Sequence, residues 1–177
     1  MTEKMQLDRQ ERKESIEDNA RKFTLDEIDA EFLTEHGAVS HQLVVDWLVT
    51  EEINEKKIVR KELENREVQY LLIEKKTLGG NRTTDKRKIS EDEYKKLLES
   101  ATVHLEKKRY EFSFTQDDAS FSIKYDEFPP NNFCLLEVDA KSEADRNRFD
   151  YASFPYKLSE VTGDPQYQGY RAAQFGV

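Results

Sequence analysis

The sequence has 177 residues, of which 36% are hydrophobic and 37% are charged, and its net charge is −9 with a pI of about 5.0. So acidic a chain is not a general binder of nucleic acids or anionic membrane surfaces, although a local basic site is compatible with that total. The length predicts one domain, over residues 18–177, that follows a polar N-terminal tail at residues 1–17.

Cysteine content and apolar runs indicate where the protein works. Cys134 is the single cysteine, so the chain forms no disulfide of its own, and the apolar run around it predicts a small core residue. No apolar run reaches the roughly 20 residues of a transmembrane helix, and the charged N-terminus does not resemble a secretory signal. We therefore expect a cytoplasmic protein that has no membrane partner.

Short runs rich in Val, Ile, Leu, Tyr and Phe begin after the tail and predict eight β-strands. In chain order they are ARKFTL, QLVVDWLVTEE, KKIVRKELEN, REVQYLLIEKK, RTTDKRKI, VHLEKKRYEFSF, ASFSIKYDEF and FCLLEVDAK. The turn signals ENRE, LGGN, TQDDA and FPPNN separate several of them. Tight turns between successive strands favour antiparallel pairing.

Two segments have the pattern of helix N-termini. SEDEYKKLLES begins with Ser90 and has Glu93 three residues later, which is a capping box, and KSEADRNRFDYA begins with Ser142 and also carries acids in its first turn. We therefore expect a mostly β domain of the α+β class. Two helices can cover only a small part of a large sheet. We expect an eight-stranded antiparallel β-barrel, closed or nearly closed, because closure removes the exposed strand edges.

Alternation along the strands collects charged residues on one side. In LEKKRYEF, for example, Lys107, Arg109 and Glu111 alternate with Tyr110 and other residues. The side so defined carries nine basic residues, with about five acids: Lys22, Arg60, Lys75, Arg82, Lys86, Lys88, Lys107, Arg109 and Lys124.

This charged side is either a solvated outer face, used at most for protein contacts, or the interior of the barrel. The segment FCLLEVDA favours the interior, because it is apolar on both sides of its two acids and such strands lie centrally in a sheet. An interior with excess cations predicts a bound anion, and a polyphosphate suits both Arg and Lys. The acids would then hold a hard divalent cation.

The segments LEKKRYEF, KYDEF, LLEVDAKSE and EVTGDPQYQGYRAA, together with YLLIEKK and NRTTDKRKISEDEY, resemble motifs of the CYTH family, also called the triphosphate tunnel metalloenzymes. The resemblance extends over roughly residues 18–173. It implies an eight-stranded barrel whose tunnel binds a triphosphate and a divalent metal, Mg²⁺ or Mn²⁺. The family includes inorganic triphosphatases, thiamine triphosphatases and class IV adenylyl cyclases.

Site residues follow from the matched positions. The triphosphate-binding residues that the resemblance implies are Lys22, Arg60, Lys75, Arg82, Lys107 and Arg109. The implied metal ligands are Glu137, Asp139, Asp18 and Asp126, and Glu137 and Asp139 are also the candidates for orienting a catalytic water.

Several acidic positions of the family are missing from this chain. In DNARKF, the best counterpart of the E-x-E-x-K strand, Ala20 replaces the middle acid; the competing register EIDAEF keeps three acids but loses the lysine. Thr84 and Lys86 stand where the family has two more acids, and Ile58 leaves Arg60 as the only arginine of an R-x-R strand. The losses make a second metal unfavourable and the tunnel more positive.

Three functions remain open. The first is metal-dependent hydrolysis of an inorganic, organic or nucleoside triphosphate. The second is binding of a triphosphate or another polyanion without turnover, and adenylyl cyclase activity ranks below both because no base-reading residues are evident. The expected partner is a triphosphate-containing small molecule, bound by a monomer or a homodimer, and no nucleic acid is expected.

Overall fold

The computed structural model describes residues 16–17, 20–51, 54–129 and 133–167, so most of the predicted tail and the predicted metal ligand Asp18 lie outside the described residues. The strands are β1 (Ile16–Glu17), β2 (Arg21–Leu25), β3 (Val39–Glu51), β4 (Asn54–Leu63), β5 (Val68–Leu78), β6 (Asn81–Ile89), β7 (Val103–Gln116), β8 (Ala119–Phe128), β9 (Phe133–Asp139) and β10 (Ser159–Glu160). The helices are α1 (Ala30–Glu35), α2 (Glu91–Leu98) and α3 (Glu143–Asn147).

The eight predicted strand runs all form strands, β2 to β9, which confirms a mostly β fold with few helices. The predicted total of eight is nevertheless wrong, because β1 and β10 add two strands of two residues each. Every pairing is antiparallel, and the strand order is β1-β6-β5-β4-β3-β7-β8-β9-β2-β10.

The prediction of a closed barrel is wrong, because the ladder of strand pairs in the described part of the chain ends at β1 and β10. One physical reason lies at β2, where Ser159 and Glu160 of β10 pair with Thr24 and Phe23 and thereby occupy the edge that closure would need. The sheet is therefore an open one in its hydrogen bonding.

The sheet is nevertheless strongly curled. In a flat sheet, β1 and β2 would lie about 38 Å apart, because eight strand spacings separate them. Glu17 ends β1 and Arg21 begins β2, and a chain of that length spans at most about 14 Å. A register shift in β3 between Trp47 and Val49 adds to the bending. We call the side of the sheet that α1 and α2 cover the convex face, and the opposite side the concave face.

The convex face carries the helices and most of the apolar core. Phe23, Ile123 and Leu136 pack there against Leu33 of α1 and against Phe149, and all of them are buried. A second convex cluster consists of Ile58, Leu72 and Tyr94, and it seats α2 on the sheet. Burying these side chains leaves the alternate positions of the same strands to the concave face.

The helix starts show which sequence signals were sufficient. Ser90 and Ser142 cap α2 and α3 as predicted, accepting hydrogen bonds from the backbone N–H groups of Glu93 and Asp145 at 3.1 Å. Helix α1 was not predicted; Asp29 caps it by accepting from Phe32 N at 2.8 Å. The alternative strand register EIDAEF thus falls partly in a helix, whereas RKF lies in β2.

Within the described residues, no helix combines the length and the apolar character that crossing a membrane requires.

The contact between His104 and Asp46 lies on the convex face, and its ionic origin can be tested by its pH dependence. Its Nδ1 lies 2.7 Å from Oδ1 of the buried Asp46, and this hydrogen bond, opposed by partial burial and aided by Glu106, raises the pKa of His104. A raised folded-state pKa contributes stability below about pH 6.5 that disappears as the pH rises through the folded value. We expect His104→Gln to lower the urea midpoint clearly at about pH 6 and little at about pH 9. An equal loss at both pH values would contradict the ionic origin of the contact.

Candidate functional site

The concave face brings together charged side chains from seven of the described strands, β2 and β4 to β9. Directly opposed residues on one face of a sheet are neighbours, and the register places Lys22, Glu137, Lys124 and Glu111 in one row across β2, β9, β8 and β7. Counted by register over the described strands, the concave face holds ten basic residues: Lys22, Lys57, Lys61, Lys75, Arg82, Lys86, Lys88, Lys107, Arg109 and Lys124. Five acids face the same way: Glu55, Glu111, Asp126, Glu137 and Asp139.

Asp126 binds the two cations of the strand K-x-R. Its carboxylate accepts from Lys107 Nζ at 2.8 Å and from Arg109 Nε and Nη2 at 2.7 Å each, and only 1% of the residue is exposed. Burial raises the pKa of Asp126, but the charges of Arg109 and Lys107 outweigh burial and hold it below its ordinary value. The carboxylate of Asp126 is therefore ionised, and both of its oxygens accept hydrogen bonds from Lys107 or Arg109.

Glu137 lies among cations without being bonded to them. Its side chain makes no hydrogen bond to any described residue, yet the charges of Lys22, Arg109, Lys107 and Lys124 all act on it. Burial opposes ionisation, but these four charges lower the pKa of Glu137 strongly. Glu137 is therefore a half-buried, ionised acid, and both of its carboxylate oxygens are available for hydrogen bonds with a water or a ligand.

Asp139 occupies a different environment. Its Oδ1 accepts from Ala140 N at 2.8 Å and from Arg146 Nη1 at 3.3 Å, and 47% of its side chain is exposed. The register places it beyond the row of Glu137, opposite Ser122. The two predicted catalytic acids therefore belong to one face but differ in burial and in partners.

A second charged group, centred on Glu55, was missed by sequence reasoning. Glu55 is buried and accepts from Trp47 Nε1 and from Arg82 Nη2, the latter at 2.8 Å, while Lys57 Nζ lies 3.8 Å away. Burial raises the pKa of Glu55, but the charges of Lys57 and Lys75 bring it below its ordinary value. The signal was the N-E-K-K charge pattern at residues 54–57, which polar surface strands also show.

Strand β4 corrects one prediction. Arg60 lies on the convex face, in register with Val44 and Tyr70, and its Nη1 lies 3.3 Å from Glu62. It is therefore not grouped with the other predicted cations; Lys57 and Lys61 face the concave side instead. The sequence misled because Ile58 and Val59 are both apolar and both buried, so the pattern did not say which side was charged.

The remaining predicted cations do share the concave face. Lys22 lies opposite Glu137, Lys75 lies opposite Glu55, and Arg82 reaches Glu55. The face is less polar than expected, since an apolar cluster covers its centre. That cluster consists of Leu43, Val45, Trp47, Val59, Leu71, Ile73, Leu105, Phe128 and Leu135, with Val161 and Tyr167 packed against it.

The acids present do not by themselves form a metal site. The described residues contain no group of three His, Cys, Asp or Glu side chains placed to hold a metal ion. Both oxygens of Asp126 are bound to Lys107 and Arg109, and Oδ1 of Asp139 is bound to Arg146, whereas neither oxygen of Glu137 is bonded to a side chain that the structure describes. Binding of Mg²⁺ or Mn²⁺, and any part that Asp18 takes in it, stay predictions.

No family model matches this chain, and no curated protein matches it. Among solved structures, the chain is similar to two structures of NE1496. One is described as a hypothetical protein and the other as an inorganic triphosphatase. The hypothetical-protein structure gives a TM-score of 0.55 and the triphosphatase structure 0.56, each at 20% identity. The matches cover 87% of this chain and 95% and 92% of NE1496. The chain therefore shares the fold of NE1496.

Proposed function

We propose that the concave face binds a triphosphate and that the protein hydrolyses it. The observation that carries this proposal is the group formed by Lys107, Arg109, Lys22 and Lys124 around the half-buried carboxylate of Glu137, which has no bonded partner among the described side chains. The inorganic triphosphatase activity named for NE1496, whose fold this chain shares, supports the same reaction class.

An anion suits this face for an electrostatic reason. Lys107 and Arg109 have only 14% and 17% of their side chains exposed, and Asp126 neutralises just one of these two charges. A triphosphate supplies three or more negative charges on one small molecule, and Lys and Arg bind phosphate oxygens by charge-assisted hydrogen bonds. Arg109 keeps Nη1 for this purpose, because Nε and Nη2 bind Asp126.

Hydrolysis would use the same residues in different roles. The cations would stabilise charge that develops on the bridging oxygen of the leaving phosphate. Glu137, which stays ionised, would accept a hydrogen bond from the attacking water and orient it; its low pKa makes it a weak proton acceptor, so positioning is its main contribution. Asp139, which is more exposed and paired with Arg146, would contribute less.

Binding without turnover is the second candidate, and one observation favours it. Asp126 is occupied by Lys107 and Arg109, and Thr84 and Lys86 stand at two positions where the resemblance implies acids. Both features favour anion binding over the binding of a divalent cation. A hydrolysis assay separates the two candidates.

Lys107→Met tests the binding site, with Lys108→Met as the matched control. Lys107 faces the concave side and Lys108 the convex side, where its Nζ lies over the ring of Tyr110 at 5.0 Å. A charge-assisted contact is worth about 1.5–3 kcal/mol, so we expect Lys107→Met to weaken tripolyphosphate binding about ten- to a hundredfold in titration calorimetry. Lys108→Met should bind like the wild type. Equal effects of the two substitutions would contradict a site on the concave face.

Arg60→Met tests the correction in β4. Since Arg60 lies on the convex face, its loss should leave tripolyphosphate affinity within about twofold of the wild type, whereas Lys61→Met, one residue further on, should weaken binding. The opposite ranking would show that Arg60 reaches the ligand. Circular dichroism of both variants would establish that each is folded.

Glu137→Gln tests hydrolysis. The substitution removes a negative charge from among four cations, so we expect tripolyphosphate to bind as tightly as before or more tightly. Phosphate release, measured with Mg²⁺ and separately with Mn²⁺, should fall at least about a hundredfold, because the water loses its orienting carboxylate. Asp139→Asn should cost less. No release by the wild type with either metal, together with intact binding, would support the second candidate instead.

A further inference from the structure

Lys57 occupies an unusual position for a lysine. It projects from β4 onto the concave face, in register with Trp47 and Ile73, and only 16% of its side chain is exposed. Its Nζ lies over the Trp47 ring, 5.5 Å from the ring centroid, and 3.8 Å from Oε1 of Glu55. An ammonium group so enclosed loses much of its hydration.

The charges around Lys57 do not compensate for that loss. Glu55 is the acid that faces it, but Arg82 and Trp47 already bind the two oxygens of that carboxylate. Three further cations act on Lys57 from other strands, Lys75 of β5 and Lys107 and Arg109 of β7. Lys86 of β6 lies in the same row, two strands away. Among the described groups, Lys57 therefore faces more positive than negative charge.

The protonation of Lys57 responds to this environment. Burial lowers the pKa of Lys57, the charge of Lys75 lowers it further, and Glu55 only partly opposes the two, so that it lies well below its ordinary value. A polyphosphate on the concave face would reverse the balance, because several negative charges within a few ångströms favour the charged amine.

We propose that Lys57 takes up a proton when a polyphosphate binds to the concave face, so that the positive charge of the face adapts to the anion. This inference rests on the proposed binding of a triphosphate, and it adds a residue and a coupling that this function does not require. Two consequences follow: Lys57 repels its neighbours less in the ligand-free protein, and affinity falls more steeply as the pH rises than it would for a face of permanent charges.

The first experiment measures protons. Tripolyphosphate is titrated into the protein, without divalent metal, in HEPES and in Tris at equal pH and ionic strength between about pH 7 and 9.5. The difference between the two observed enthalpies gives the number of protons exchanged. We expect the wild type to take up more protons than Lys57→Met, by up to about one per bound ligand at the maximum. The protons that the ligand itself exchanges are the same for the wild type and for Lys57→Met, so they cancel when the two proteins are compared.

Lys56→Met is the matched control, because Lys56 precedes Lys57 in β4 but faces the convex side, in register with Glu74. It should exchange the same number of protons as the wild type. Equal uptake by the wild type and Lys57→Met, with binding intact, overturns this inference and leaves the proposed function standing. Absence of binding by the wild type in both buffers overturns the proposed function, and this inference falls with it.

The second experiment needs no ligand. A lysine whose pKa is lower in the folded state destabilises the fold below that pKa, and the effect disappears as the pH rises towards its ordinary value of about 10.5. Lys57→Met should therefore raise the urea midpoint at about pH 7, and the gain should shrink towards pH 10. Lys56→Met should show no such trend. A lower midpoint for Lys57→Met at pH 7 would mean that the amine stabilises the free protein, and it would overturn the inference.

Discussion

Repulsion between like charges enclosed on one face of a curled sheet is the constraint on which the rest of this molecule depends. In the described strands, ten basic side chains face the concave side together with five acids, within a chain whose total charge is −9. The acids are placed where they relieve the repulsion most, Asp126 between Lys107 and Arg109 and Glu55 beside Arg82. The positive charge that these acids do not neutralise makes the concave face suited to binding an anion.

The fold makes this arrangement possible by burying its apolar residues elsewhere. In the described part of the chain, the convex face holds two of the three apolar clusters, under α1 and α2. The apolar cluster at the centre of the concave face separates the charged group around Asp126 from the one around Glu55. Charged side chains with apolar neighbours are poorly hydrated, which strengthens every contact they make with an anion.

Alternation predicted the concave cations wherever a strand had one clearly apolar side. Lys107 and Arg109 follow from Tyr110, Phe112 and Phe114, which occupy the alternate positions after them, and Glu137 follows from Leu136 and Val138. Alternation failed at Arg60, because Ile58 and Val59 are buried on opposite faces and either parity fitted. A sequence pattern does not encode which side chains meet across strands or elements. It therefore could not predict that Asp126 binds Lys107 and Arg109, or that Asp139 pairs with Arg146. The open sheet depends on β10, two residues that have no strand pattern at all.

Trp47 gives the concave face an optical property of its own. It is the only tryptophan of the chain, and it lies buried with its indole N–H on Glu55 and the ammonium group of Lys57 over its ring. Indole emission is sensitive to nearby charge and hydration, and no other indole contributes a background. The protein therefore carries, at the centre of its charged groups, an intrinsic fluorophore whose spectrum reports on that one environment without any added label.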